Sequence, residues 1–192
     1  MASQPLSFVT PEEYLAAERL AERKSEYING EVFAMAGVSR QHDDIVVNSI
    51  TSLNIQLRGG DCKVHTPDFR VRVNPKGAYM YAYPDLSVVC GEQRFEDGHL
   101  DTLLNPKVII EVLSHSTEAK DRGVKARLYR QLDSLAEYLF VAQDRVHIEH
   151  YVRQPDGSWL LSERSNLEDS LELHSVGATL KLADVYHRVA LD

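Results

Sequence analysis

The chain has 192 residues, enough to enclose a sizeable core as one domain, residues 1–192. Its formal net charge of −8 argues against a general polyanion binder, because phosphate contacts need a positive surface. Its apolar runs are too short to span a bilayer, and the start, "MASQPLSFVT", has neither a basic n-region nor an apolar h-region, so a cytoplasmic location is expected. Cys62 and Cys90 show neither metal spacing nor a CxxC pair, and read as reduced, buried thiols in preference to a disulfide.

Thr10 before Pro11, Glu12 and Glu13 predicts a capped helix reaching about Glu22. "SEYINGEVFAMAG" reads as a hairpin around Asn29-Gly30. Ile45, Val46, Ile50, Leu53 and Leu57 recur at helical spacing, so a second helix spans Ser39 to Leu57. "CKVHTPDFRVRV" is expected to be one extended strand, "NPKGAYMY" a loop, "PDLSVVC" a strand, and "GEQRFEDGHLDTLLNP" a loop. "KVIIEVLS" has the continuous apolar character of a strand buried on both faces. A helix capped by Ser116 or Thr117 follows, to about Leu132, and then the strands "AEYLFVAQ", "RVHIEHYVR" and "SWLLSER". A last short helix starts near Leu182. The strand–helix–strand step over 107–141 favours a parallel crossover, whereas the two preceding strands are joined by a loop and favour antiparallel pairing. The fold class expected is α/β, a mixed sheet with a helix on each face.

Chemistry concentrates on three residues. Asp85 opens one core strand, Glu111 sits near the end of the next, and Lys125 lies on the following helix, sharing a face with Asp121 and Tyr129. Carboxylates about 4 Å apart repel by roughly 4 kcal/mol at an effective dielectric near 20. Such a pair takes up a proton or a cation, and a hard, oxygen-seeking ion such as Mg²⁺ suits it. Plain readings stand beside these. Asp85 after Pro84 is also a turn residue, Glu111 could pair with Arg70 or Arg72, and Lys125 could form a surface pair with Asp121. From Glu118 to Arg130 five basic residues face two acidic ones, which makes either a local basic face or an ordinary solvated one.

"YPDLSVVC" followed by "EVLSHSTEAKDRGVKARLYR" resembles the Uma family of restriction-endonuclease-like proteins, a branch of the PD-(D/E)xK nuclease superfamily. The likeness extends to "YINGEVFAMAG", "SRQHDDIVVNSI" and "LAEYLFVAQDRVHIEHYVR", covering about Pro11 to Arg153. It implies a restriction-endonuclease-like core with an N-terminal helix and hairpin and a C-terminal β-hairpin extension. Asp85 and Glu111 then map onto the metal site for Mg²⁺ or Mn²⁺, with the Val112 carbonyl as a further ligand. The superfamily lysine normally stands two residues after the glutamate, where this chain has Leu113. Lys125 is the migrated replacement on this reading. Glu31 and His42 match family positions near the metal, with a hairpin surface residue and a helix-capping histidine as their plain alternatives. The resemblance implies a metal-dependent endonuclease acting on nucleic acid, with DNA the expected substrate, Lys120, Arg122 and Arg127 contacting its backbone, and a homodimer. The alternative is a nuclease fold kept as a non-catalytic binding or assembly module, favoured by the missing strand lysine and the acidic net charge.

Overall fold

A computed structural model describes residues 8–75 and 78–191. The first residues of the chain start, and Lys76 and Gly77 of the expected loop, lie outside the described residues.

Helix α1 (Pro11–Glu18) starts at a capping box, in which Thr10 and Glu13 bond each other's backbone N–H, and it ends a turn earlier than expected. Strands β1 (Ser25–Ile28) and β2 (Glu31–Ala34) form the expected hairpin. Asn29 and Gly30 both have positive φ (49° and 94°), the conformation a two-residue type I′ turn demands. Helix α2 (Arg40–Gln56) is capped by Ser39, whose hydroxyl accepts from the His42 N–H.

The segment from Cys62 to Val73 is a correction. It forms two strands, β3 (Cys62–His65) and β4 (Arg70–Val73), in different sheets. Thr66-Pro67-Asp68 breaks it, because Pro67 has no N–H for a ladder and directs the chain from one sheet to the other. Two expected loops also carry short strands, β5 (Met80–Ala82) and β7 (Thr102–Leu103), flanking β6 (Leu86–Cys90). Strand β8 (Val108–Leu113) is buried throughout. After it the helix is α-helical over Glu118–Lys120 (α3), π-helical over Asp121–Lys125, and α-helical over Ala126–Tyr129 (α4). Strands β9 (Glu137–Ala142), β10 (Ile148–Arg153) and β11 (Trp159–Arg164) follow as expected. A further hairpin, β12 (Ser170–Leu173) with β13 (Ala178–Lys181), precedes the short helix α5 (Leu182–Val185).

The larger sheet runs β11-β10-β9-β8-β6-β3 and the second β2-β1-β5-β4-β7. Strands β8 and β9 are parallel while β3 is antiparallel to β6, the mixed arrangement expected from the connections, and β6 is antiparallel to β8 as well. Alternation along β8 sends Val108, Ile110 and Val112 to a core with α2, α5 and the β12–β13 hairpin. Ile109 and Leu113 go to the opposite core, with Ala126, Leu128 and Tyr129 of α4 and Val71, Val73 and Met80 of the second sheet. A helix therefore covers each face, and the second sheet adds a layer on the α3–α4 side.

The cysteine expectation is also corrected. Cys62 and Cys90 are cross-strand partners on β3 and β6 and are joined by a disulfide. The fold brings them together through register, which spacing along the chain does not reveal.

Candidate active site

The register of β6 on β8 builds the centre. Leu86 pairs with Ile110, so one step outward Asp85 lies across from Glu111, whose side chain points toward the α3–α4 segment. The Asp85 N–H approaches Glu111 Oε2 at 3.4 Å, and Asp85 Oδ2 accepts the Val112 N–H at 2.7 Å. His42, on the first turn of α2, brings Nε2 to 3.2 Å from the same Asp85 oxygen. Burial would lower the His42 pKa, but the bond to Asp85 and that residue's charge outweigh it and raise it. Arg70 pairs with Asp101 and Arg72 with Glu96, so neither guanidinium neutralises Glu111.

Lys125 performs that pairing. Its ammonium lies 2.9 Å from Glu111 Oε1, 2.9 Å from Asp121 Oδ1 and 3.1 Å from Glu26 Oε1. Lys125 is 4% exposed and Glu111 2%. The π turn over Asp121–Lys125 is the local device that seats Asp121 and Lys125 together in the interior, since a π turn shifts the face its residues present. Burial would lower the Lys125 pKa, yet the surrounding carboxylates, Glu111 first, hold it well above the usual lysine range. Glu111 goes the other way. Burial raises it well above the carboxylate range, Asp121 and Asp85 add to this, and Lys125 offsets only part. Burial also pushes Glu26 up, but Lys125 and Lys120 together bring it below its ordinary value. Lys120 Nζ sits 2.6 Å from Glu26 Oε2 and 4.3 Å over the Phe33 ring.

Four carboxylates (Glu26, Asp85, Glu111, Asp121) thus meet two lysines and one histidine. The acidic excess is what a cation or an extra proton would relieve. Asp85 and Glu111 offer hard oxygen donors, as Mg²⁺ or Mn²⁺ prefers. Glu111 Oε1 has Lys125 close by but accepts no directed hydrogen bond, so it retains capacity for a further partner. The donor set therefore fits a divalent ion. Among the described residues, three metal-ligating side chains come within 4.8 Å of one another at two places, both outside this centre, where Asp85 and Glu111 are a pair: Asp61 with Cys62 and Cys90, and His147 with Glu149 and Glu163. The first is occupied by the disulfide, and in the second Glu149 is bound through both oxygens by Arg122.

Of the residues singled out from sequence, Asp85, Glu111, Lys125 and His42 converge, and Val112 joins them through its N–H. Glu31 does not join the contacts just described. It is exposed at the start of β2, opposite Ile28 and on the hairpin face that also carries Glu26. Lys120 is engaged by Glu26, Arg122 by Glu118 and Glu149, and Arg127 is exposed on α4. Sequence reading missed Glu26. Its only signal was the two-residue period of β1, which puts Glu26 on the inward face of Ile28.

A family model described as "Putative restriction endonuclease", Uma2, matches residues 11–183. The chain belongs to the Uma2 family. Two curated relatives come from Synechocystis sp. (strain ATCC 27184 / PCC 6803 / Kazusa). "Uncharacterized protein slr1290" is 36% identical over 98% of this chain and 96% of its own. "Uncharacterized protein sll1609" is 34% identical over 81% of this chain and 86% of its own. The Uma2 fold here is also similar to the crystal structure of "a putative nuclease belonging to DUF820" from Anabaena variabilis ATCC 29413, with a TM-score of 0.74 at 17% identity over 95% of this chain and 99% of that one. At that identity the likeness speaks for the fold alone, which is mixed α/β. Among the described residues no helix is long and apolar enough to cross a membrane.

Proposed function

We propose that the chain is a divalent-metal-dependent endonuclease that hydrolyses phosphodiester bonds in nucleic acid, DNA in the first instance. The observation that carries this reading is the meeting of Asp85 and Glu111 on adjacent strands, beside a buried lysine and without an arginine. Asp85, Glu111 and the Val112 carbonyl would hold Mg²⁺ or Mn²⁺. When bound, the ion supplies polarisation of a phosphate oxygen and a lower pKa for water.

The chain's own residues do the rest. The Val112 N–H and His42 fix Asp85 in one orientation, as pre-organised ligands require. Lys125 keeps its charge next to Glu111 and offsets the cost of a buried carboxylate. Glu26 and Asp121 hold that ammonium from the other sides. His42 and Glu31 remain the candidates for moving a proton near the reacting centre. Lys120, Arg122 and Arg127 remain candidates for backbone contact, which sets affinity and register but not sequence choice. A single 1–192 domain working as a homodimer in the cytoplasm completes the reading, and light scattering on the purified protein tests the dimer.

Calorimetric titration with Mn²⁺ tests the metal site. Wild type should bind, and Asp85→Ala should lose binding. Cleavage of DNA in Mn²⁺ should disappear in Glu111→Ala. A wild type that takes up neither Mg²⁺ nor Mn²⁺ at millimolar concentration would end the enzymatic reading. One observation favours the alternative of a non-catalytic module. Lys125 faces three carboxylates, so its ammonium is already committed. Metal binding without cleavage of single-stranded, duplex or branched DNA would select that alternative.

A further inference from the structure

We infer that the nucleic-acid strand next to the bond being cut is held in the crevice at the carboxyl ends of β8 and β9, with Arg145, His115 and the Gln143 amide as its phosphate contacts. This rests on the reading of the chain as a nucleic-acid hydrolase.

The crevice has a volume of about 240 Å³ and is lined by Leu113, His115, Glu118, Gln143, Asp144 and Arg145. Its place follows from topology. In α/β sheets, ligands bind beyond the carboxyl ends of parallel strands, and β8–β9 is the parallel pair of the larger sheet. It is continuous with the acidic centre through two residues. Leu113 lies two positions beyond Glu111, on the same face of β8. The Gln143 carbonyl oxygen accepts from Ser39, the cap of the helix that carries His42. That bond fixes the amide and leaves its NH₂ group as a donor.

Two cations of the α3–α4 segment are poorly placed for the task. Arg122 spends its donors on Glu118 and on both oxygens of Glu149, and Lys120 rests on Glu26. Releasing Arg122 would cost Glu118 and Glu149 their guanidinium, and releasing Lys120 would leave Glu26 with Lys125 alone. Arg145 differs. Its only ion pair among the described residues is with its neighbour Asp144, and the two side chains are 60% and 57% exposed. Such a pair contributes little and yields readily to a phosphate, which accepts from a guanidinium through two parallel bonds. His115 is exposed at the same rim. Of the two acids there, Glu118 is already neutralised by Arg122.

The test measures binding of a fluorescein-labelled duplex oligonucleotide by anisotropy, with Ca²⁺ in place of Mg²⁺, over a range of salt. The double variant His115→Ala/Arg145→Gln should bind about tenfold more weakly. The slope of log K against log salt should become shallower by about one for each phosphate the variant no longer neutralises. Lys181→Ala, at an exposed cation on the end of β13, should keep the wild-type slope, and the double variant's melting temperature and Mn²⁺ titration should match wild type. An unchanged slope in the double variant, or a weakening confined to Arg127→Ala, would overturn the crevice and move the strand to the helix face while leaving the hydrolase reading intact. A wild type that binds Mn²⁺ but no oligonucleotide would remove the nucleic-acid reading and the crevice with it.

Discussion

Lys125 is a buried charge whose partners are all buried, so it is the residue the interior tolerates losing least. Removing one member of such a cluster leaves uncompensated charge at a cost of about 3–5 kcal/mol. Lys125→Ala should therefore lower the unfolding free energy by about that much in urea titrations. A drop below about 1 kcal/mol would mean that proton uptake by Glu111 compensates for the missing ammonium. A second buried pair lies away from the site. Glu137 takes a 2.6 Å contact from His150 Nε2 and a 2.7 Å bond from the Ser175 N–H. Burial raises its pKa, but these bonds outweigh it and leave the value below the ordinary 4.5. Its stabilisation is then complete above the unfolded-state value and fades as the pH falls through the folded one. The stability gap between wild type and Glu137→Gln should be flat from about pH 7 to about pH 5 and narrow below that. A gap that widens in acid would contradict the assigned direction. At this scale the sequence disclosed residues whose position is odd for their chemistry. Glu111 inside "VIIEVL" and Asp85 at a strand start announce themselves. Glu26 does not, because its burial depends on Lys120 and Lys125, nearly a hundred positions away.

Among the elements, the interrupted helix after β8 bears most on the site. Hydrophobic spacing predicts a helix there but is silent about a π turn, which adds one residue per turn without changing composition. Gly123 lies inside that turn, exposed, with nothing within 4 Å of where a Cβ would stand. A glycine in an exposed helical interior is about 0.8–1.0 kcal/mol less favourable than alanine. Gly123→Ala should therefore raise the urea midpoint while leaving Mn²⁺ affinity unchanged. A lowered midpoint would show that the turn needs the backbone freedom of glycine. Strand expectations erred where local pattern and tertiary pairing diverge. "CKVHTPDFRVRV" alternates well enough to look continuous, and only Pro67 signals that it serves two sheets. β5 and β7 are two or three residues long and exist because neighbouring strands accept them. Leu171 and Leu173 give β12 its alternation, but with so few residues the pattern is indistinguishable from a loop.

For the molecule as a whole, the parallel step from β8 to β9 and the antiparallel pairing of β3 with β6 were legible because crossover chirality and loop length leave few options, whereas the pairing of distant edges was not. The disulfide shows the difference. Cys62 lies on β3, an edge of the larger sheet, and Cys90 at the far end of β6 from Asp85. Nothing in a spacing of 28 residues reveals that register places them opposite one another. Once formed, the bridge restricts the unfolded chain by closing that loop, a contribution of roughly 3–4 kcal/mol in the chain-entropy account. It also ties down an edge strand that has a neighbour on one side only. Reduction, or Cys62→Ser/Cys90→Ser, should therefore lower the unfolding free energy by roughly 3–4 kcal/mol. The Mn²⁺ titration should not change, because the bridge and the acidic centre sit at opposite ends of β6. Alkylation of the unreduced protein should leave both cysteines unmodified by mass. Two alkylated thiols in protein purified without reductant would show that the edge is held by packing alone, and the predicted stability difference would vanish with the bridge.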